Sequence, residues 1–540
     1  MYNFAEIEKK KLVRTKWKQI HTHKTTFNTG DLIPVFTKEI LPGDFVSMDL
    51  EALIKMTTPS FQTMDLAFID YHAYYVPRRL VWKNWKAFLG EKTVGPHEVQ
   101  PEYTIPKTFA PTGGWEKGTI ADYMGIPTKV QNLPGVDSAY FRGYCLIWNE
   151  WYRDQNRQDF TDFSDGDENT DGSNGSNYVT DALRGGKCLK AAKIHDYFTS
   201  TLLEPQAGEP VVLPLGTSAP VVTGTEPNAI QTTNALLLGT KGSSTPLTSG
   251  FELAAGPAGM RAGANTSIDN GYLKPLNLMA DLNEATAATV NQLRMAFQLQ
   301  KILEANNRSG SRYVEQLKAR WDVNPSDATL QRPEFLGGKR LPINMDMVVQ
   351  TSSTDQTTPL GQISGFSNTH INTPLFTKSF EEHGILYVLA VVRHQRTYQQ
   401  GLPKKFTRTN FEDFYMPEFQ NIGEVPVYNY ELFASGNTEK DNQIFGYQEY
   451  ASEYRYEPNI VTGQFRSNAE NSFDNWHYAD DYEDTPVNGE EWIVENPDSV
   501  DRTLTVDHTV ADQFYMECGF TETVVRSMPP HSNPGYIDHH

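Results

Sequence analysis

Glycine and proline interrupt this chain along its whole length, 39 and 32 of them in 540 residues, which leaves little room for long helix. A chain cut this often favours a mainly β body with long loops. The runs that survive between breakers read as strands. From Leu66 to Val76, residues Ala67, Ile69, Tyr71, Ala73 and Tyr75 share one face, while the other mixes Leu66 and Phe68 with Asp70 and His72. Ile385 to Val392 is continuously apolar, as in a strand buried on both faces. Leu32-Ile33-Pro34 and Leu41-Pro42-Gly43-Asp44 mark a strand edge and a turn within an extended stretch from Thr25 to Glu51.

A few helices are expected among these strands. Trp82 and Trp85, with Phe88 and Leu89, suit a short turn packed by aromatics, and Tyr140 to Tyr152 reads as helix. Val290, Leu293 and Phe297 line the face of another that continues through Ile302 and Leu303 and stops at Asn306-Asn307 and Gly310. A further helix, with Ser311 as its cap, carries Val314, Leu317 and Trp321 and ends at Asn324-Pro325.

Charge is distributed unevenly. The chain carries a net −20, yet residues 1–24 hold seven Lys/Arg against two Glu, an excess of +5 that leaves −25 for the rest. One end can therefore meet a polyanion that the acidic body repels, although a solvated basic helix start would show the same composition. Residues 216–271 differ again, with five charged side chains and one aromatic, Phe251, in 56 positions. Such a stretch cannot build a deep core alone, and packing against copies of itself at a symmetry axis would suit it better than a flexible loop.

The motifs of catalysis are missing. There is no HExxH, no GxSxG and no dinucleotide fingerprint, and Gly186-Lys187 is followed by Cys188 where a phosphate loop needs a hydroxyl. Asp167, Asn169 and Asp171, with Gly172, match the first positions of a calcium loop, but Tyr178 stands where its bidentate glutamate belongs, so weak calcium binding or an ordinary turn is expected. Asp480, Asp481 and Asp484 read as a solvated acidic loop. Cys145, Cys188 and Cys518 are odd in number and far apart, which suits a reducing cytoplasm. No apolar run approaches the ~20 residues that span a bilayer. The aromatic content leaves a sugar-binding sandwich, or a polysaccharide hydrolase using acids between 480 and 491, as rivals to a non-enzymatic reading.

Several long segments bear on that choice. His23-Lys24-Thr25-Thr26-Phe27-Asn28, Tyr75-Val76-Pro77-Arg78-Arg79-Leu80-Val81-Trp82, Ile147-Trp148-Asn149-Glu150-Trp151-Tyr152-Arg153-Asp154, Leu330-Gln331-Arg332-Pro333-Glu334-Phe335 and Pro534-Gly535-Tyr536-Ile537-Asp538-His539 resemble, in this order, the major capsid proteins of the gokushoviruses. These are coat proteins of small icosahedral single-stranded-DNA phages of the Microviridae. The resemblance implies an eight-stranded antiparallel jelly roll with long insertions, assembled into a T=1 shell around a circular genome, and no enzyme activity. The expected organisation is a basic arm at 1–24, the first part of the jelly roll at 25–215, an inserted surface loop at 216–283 forming a threefold protrusion, helices and the remaining jelly roll at 284–528, and a C-terminal arm at 529–540. Lys9, Lys10, Lys11, Arg14, Lys16 and Lys18 are the expected contacts to DNA phosphates, with Trp17 stacking on a base. Phe251, Glu252 and Arg261 are the expected receptor contacts. The implied partners are other copies, the genome, a small basic DNA-packaging protein, an internal scaffold and a host receptor, with assembly in the bacterial cytoplasm and no membrane insertion.

Overall fold

The computed structural model describes residues 13–211 except 96, and 290–531 except 352–359 and 362, together with the backbone of short strands between 221 and 280. The chain divides into two compact units, one of residues 1–205 and 307–540 and one of residues 206–306. Two four-stranded antiparallel sheets form the centre of the larger unit. Their strands are β1 (Thr15–Phe27), β2 (Ile33–Ile40), β3 (Phe45–Met56), β4 (Ala67–Pro77), β5 (Glu334–Pro342), β6 (Thr369–Ser379), β7 (Gly384–His394) and β8 (Phe514–Arg526). One sheet runs in the order β1-β8-β3-β6 and the other β5-β4-β7-β2. The first strand thus pairs with the last over its whole length, from Thr15 opposite Arg526 to Phe27 opposite Phe514.

Strand alternation builds the core. β3 buries Val46, Met48, Leu50, Ala52, Ile54 and Met56 and turns Asp49, Glu51 and Lys55 outward. These residues meet Ile69, Tyr71, Ala73 and Tyr75 of β4 and Leu386, Val388, Ala390 and Val392 of β7 across the sandwich. The intervening residues of β7, Ile385, Tyr387, Leu389 and Val391, are equally buried on the other side. A helical layer covers them, so the unbroken apolar run is explained: β7 has no wet face.

That layer is led by α1 (Ala139–Trp151), which lays Phe141, Tyr144, Cys145, Ile147 and Trp148 on the sheet. Gly143 lets α1 approach closely, since a Cβ there would stand 2.3 Å from the Tyr387 hydroxyl. That hydroxyl donates to the Tyr140 carbonyl at 2.9 Å. Trp82 and Trp85 are buried, with ring centroids 6.2 Å apart, as expected of an aromatic turn. The two later helices, α2 (Val290–Ser309) and α3 (Tyr313–Trp321), also form, and Gly310 after α2 adopts a φ of +98°. Ser311 does not cap α3. Arg312 occupies that position and its backbone N–H donates to Glu315 at 3.2 Å, while the Ser311 hydroxyl donates to Gln155 at 2.8 Å.

Candidate nucleic-acid interface

From Thr15 onward, the stretch expected as a free arm or a helix start is an edge strand. Pairing with β8 dictates where its side chains go. Trp17, His21 and His23 lie opposite Val524, Phe520 and Cys518, all core residues of β8, so they take the core side. His21 stands edge-on to Phe36 with centroids 5.7 Å apart. Lys16, Lys18 and Lys24 therefore share the outer face, and all three are exposed. Lys24 pairs with Glu517 at 3.1 Å. The strand separates the expected phosphate contacts from the expected stacking residue: Trp17 is half-buried and borders a shallow depression with Val524, Arg526, Met528 and Pro529. Arg14 precedes the strand, and its guanidinium donates to the Gly43 carbonyl across the turn that joins β2 to β3. Lys9, Lys10 and Lys11 lie outside the described residues, as do Phe251 and Glu252 of the insertion. Arg261 falls in a short strand, Gly259–Ala262.

The acidic segment near residue 480 corrects the sequence reading. Asp480 is buried, not solvated. Arg396 donates to it at 2.8 Å and the Tyr482 hydroxyl at 2.9 Å, with the Lys193 ammonium 3.8 Å away. Burial alone would raise its pKa, but Arg396 and Lys193 more than offset that and hold the carboxyl well below the usual range. The reverse applies to Lys193, which burial pushes down to about 8 although Asp480 opposes the shift. Arg396 also pairs with the fully buried Glu495, and His394 lies beside them with neither ring nitrogen hydrogen-bonded among the described residues. Burial, and next Arg396, keep His394 neutral. A carboxylate held ionised by two cations is a structural tie, so Asp480 is not the general acid that hydrolysis of a polysaccharide would need. Asp481 and Asp484 remain exposed as expected.

The calcium-loop residues point to separate protein donors. Asp167 accepts from the Trp82 indole at 2.6 Å and from Asn84 at 2.7 Å, and Asn169 accepts from the Lys107 backbone at 2.8 Å. Asp171 sits in a two-residue strand beside Phe109, where its carbonyl accepts from Arg184. Among the described residues, the one triad of metal-ligating groups gathered within 4.8 Å is Asp498, Asp501 and His508, which sequence spacing did not single out. Its members are already engaged: His508 binds Asp501, which also accepts from Gln513 at 2.6 Å. No helix among the described residues is long and apolar enough to cross a membrane.

A rigid two-sheet body, many insertions and a row of lysines on one outer face describe a structural protein whose business is contact with other macromolecules. Comparison with known proteins agrees. A family model described as "Capsid protein (F protein)" matches residues 5–536. Capsid protein VP1 of Bdellovibrio phage phiMH2K is 39% identical over 543 residues, covering 99% of this chain and 97% of that protein. Capsid protein VP1 of Spiroplasma virus 4 is 39% identical over 550 residues with the same coverage, and that of Chlamydia phage 1 is 34% identical over 594 residues, covering 98% and 97%. The chain belongs to this phage capsid protein family; it is a structural protein of the gokushovirus type and not an enzyme.

Proposed function

We propose that this chain is the major shell subunit of a small icosahedral phage, that its two sheets are an eight-stranded jelly roll, and that copies of it close into a T=1 capsid around single-stranded DNA. The observation that carries the reading is the sheet order, β1-β8-β3-β6 facing β5-β4-β7-β2. Neighbours in each sheet come from distant parts of the chain, as two interleaved Greek keys require, and the connections are left free to form the contacts between copies. Each specific contact should bury at least roughly 1,000 Å² and close under rotation. Lys16 and Lys18, with Arg14 and the Lys9-Lys10-Lys11 run, supply cations for DNA phosphates. A body this acidic leaves the remaining neutralisation to a small basic partner or to cations, and an internal scaffold aids closure. The 216–283 insertion protrudes at the threefold axis and contacts the host receptor through the region of Phe251, Glu252 and Arg261. Asp167, Asn169 and Asp171 remain candidates for weak calcium binding at most, with Asp167 and Asn169 already accepting hydrogen bonds from protein donors.

Negative-stain electron microscopy of the chain, expressed alone and purified from infected cells, tests the proposal. Uniform icosahedral particles in either preparation are expected; a chain that stays monomeric in both would overturn it. Neutralising Lys9, Lys10, Lys11, Arg14, Lys16 and Lys18 together should weaken DNA packaging and flatten its salt dependence. Unchanged packaging would remove the DNA role of this segment while leaving the shell assignment intact.

A further inference from the structure

The larger unit turns a group of apolar side chains between residues 406 and 460 toward solvent. Phe406 is 70% exposed and Ile460 64%, and Phe414, Tyr415, Tyr454 and Tyr456 lie between 38% and 52%. The backbone beneath them is fixed. Phe406 closes a three-ten turn, Lys404–Phe406, in which its N–H donates to the Pro403 carbonyl at 3.0 Å. Ile460 belongs to a two-residue strand, Asn459–Ile460, that pairs with Thr397 and Tyr398. Tyr456 stacks on Tyr197 with ring centroids 6.2 Å apart. Side chains held out on a fixed backbone lose little conformational freedom when a partner covers them.

These six side chains form one face. Phe406, Tyr454, Tyr456 and Ile460 line a cavity of about 480 Å³. Arg408 ties the cavity to the rest, its guanidinium 4.5 Å from the Tyr454 ring and 5.3 Å from that of Phe414, and Tyr415 stands 6.3 Å from Tyr454. Four Lys/Arg line the cavity against three Glu. Two of those cations are paired in place, Arg408 with Glu453 at 3.2 Å and Lys405 with Glu457 at 2.6 Å. A face so nearly balanced in charge suits an apolar protein surface better than a polyanion. A small ligand would need the cavity alone, whereas Phe414 and Tyr415 carry the apolar face beyond its lining. At ~150–250 Å² for each fully exposed aromatic side chain, the six offer on the order of 600 Å². That is about the largest apolar patch an ordinary monomer shows, and most of the roughly 800 Å² that one partner gives to a specific interface.

We propose that this face docks a second copy of the chain, as one of the contacts between neighbours in the shell, with Phe406 and Ile460 as its anchors. A shell built from one kind of chain has that chain as the partner on most of its faces, and each contact needs a well-packed apolar centre inside a rim of paired charges. The proposal rests on the shell reading above and assigns one of its contacts to particular residues.

The test uses the full-length chain, in solution and in particles. Phe406→Ser with Ile460→Ser should leave the melting temperature within a few degrees, because both side chains are mostly exposed. The same pair should weaken self-association at least about tenfold in sedimentation equilibrium and lower the yield of particles to match. Phe406→p-benzoylphenylalanine keeps an aromatic side chain in place and should photocross-link one chain to another. Mixing isotopically labelled with unlabelled chains shows by peptide mass spectrometry that the link joins two copies. Self-association of the double variant within twofold of the unsubstituted chain would overturn the proposal. So would cross-links confined to one chain, to DNA or to a different protein. Particles of normal yield from the double variant would remove this contact and leave the shell assignment standing. Cross-linked pairs from a chain that never forms particles would support the contact and overturn the shell.

Discussion

Asp480 and Lys193 show what burial does to single charges in this protein. With Asp480 enclosed by Arg396, Tyr482 and Lys193, the variant Asp480→Asn strands two buried cations. It should cost about 3–5 kcal/mol, read as a fall in the chemical-denaturation midpoint. A second residue-scale prediction concerns acid. Burial pushes His72 down to about 4 from 6.5, so between those values the unfolded chain binds a proton that the native chain refuses. Stability from this group is intact above pH 6.5, falls as pH drops toward 4 and then levels off. His72→Phe should flatten that part of a melting-temperature profile, whereas an unchanged profile would assign the loss to other groups. None of this was legible in the sequence. Asp480 and Asp481 are adjacent and chemically identical, and what separates their fates is Arg396 and Lys193, which the fold delivers from far along the chain.

Single elements were read best where one periodicity dominates. The unbroken apolar run of β7 reported burial on both sides, because burial leaves a direct mark on composition. In β4 the core face of Ala67, Ile69, Tyr71, Ala73 and Tyr75 was legible, but Asp70, Tyr74 and Val76 on its other face are buried as well, and the polar residues there hid it. β1 was opaque for the same reason: an edge strand with lysines outside and Trp17, His21 and His23 inside has no apolar stripe to reveal it. Lysines on an exposed edge also discourage unwanted sheet-to-sheet pairing. Lys16→Gln with Lys18→Gln should therefore change stability by no more than about 0.5 kcal/mol while lowering the slope of DNA binding against salt. Helix α1 offers the converse case. Helix propensity alone favours Gly143→Ala by roughly 1 kcal/mol, yet the added methyl would strike the Tyr387 ring. A net loss of about 1–3 kcal/mol in urea unfolding is expected, since the packing clash outweighs the propensity gain.

For the whole molecule, composition conveyed that the body is mainly β and that 216–271 is unlike the rest, but sheet order is a property of pairings separated by hundreds of residues and has no local signature. Residues 206–306 form their own compact unit, and Asn307 hydrogen-bonds the Glu204 carbonyl at the point where the chain re-enters the larger one. Replacing 206–306 by a short glycine linker should leave the sandwich folded, with a cooperative melt within a few degrees of the full chain; loss of cooperativity would show that the insertion supports the core. The pairing of β1 with β8 carries a different consequence, one for synthesis. A ribosome must deliver residue 526 before Thr15 has a partner, so any product truncated ahead of Phe514 leaves β1 unpaired and an edge of β3 bare. The sandwich thereby acts as a length check, in which only a fully translated chain has the closed sheets needed to join its neighbours.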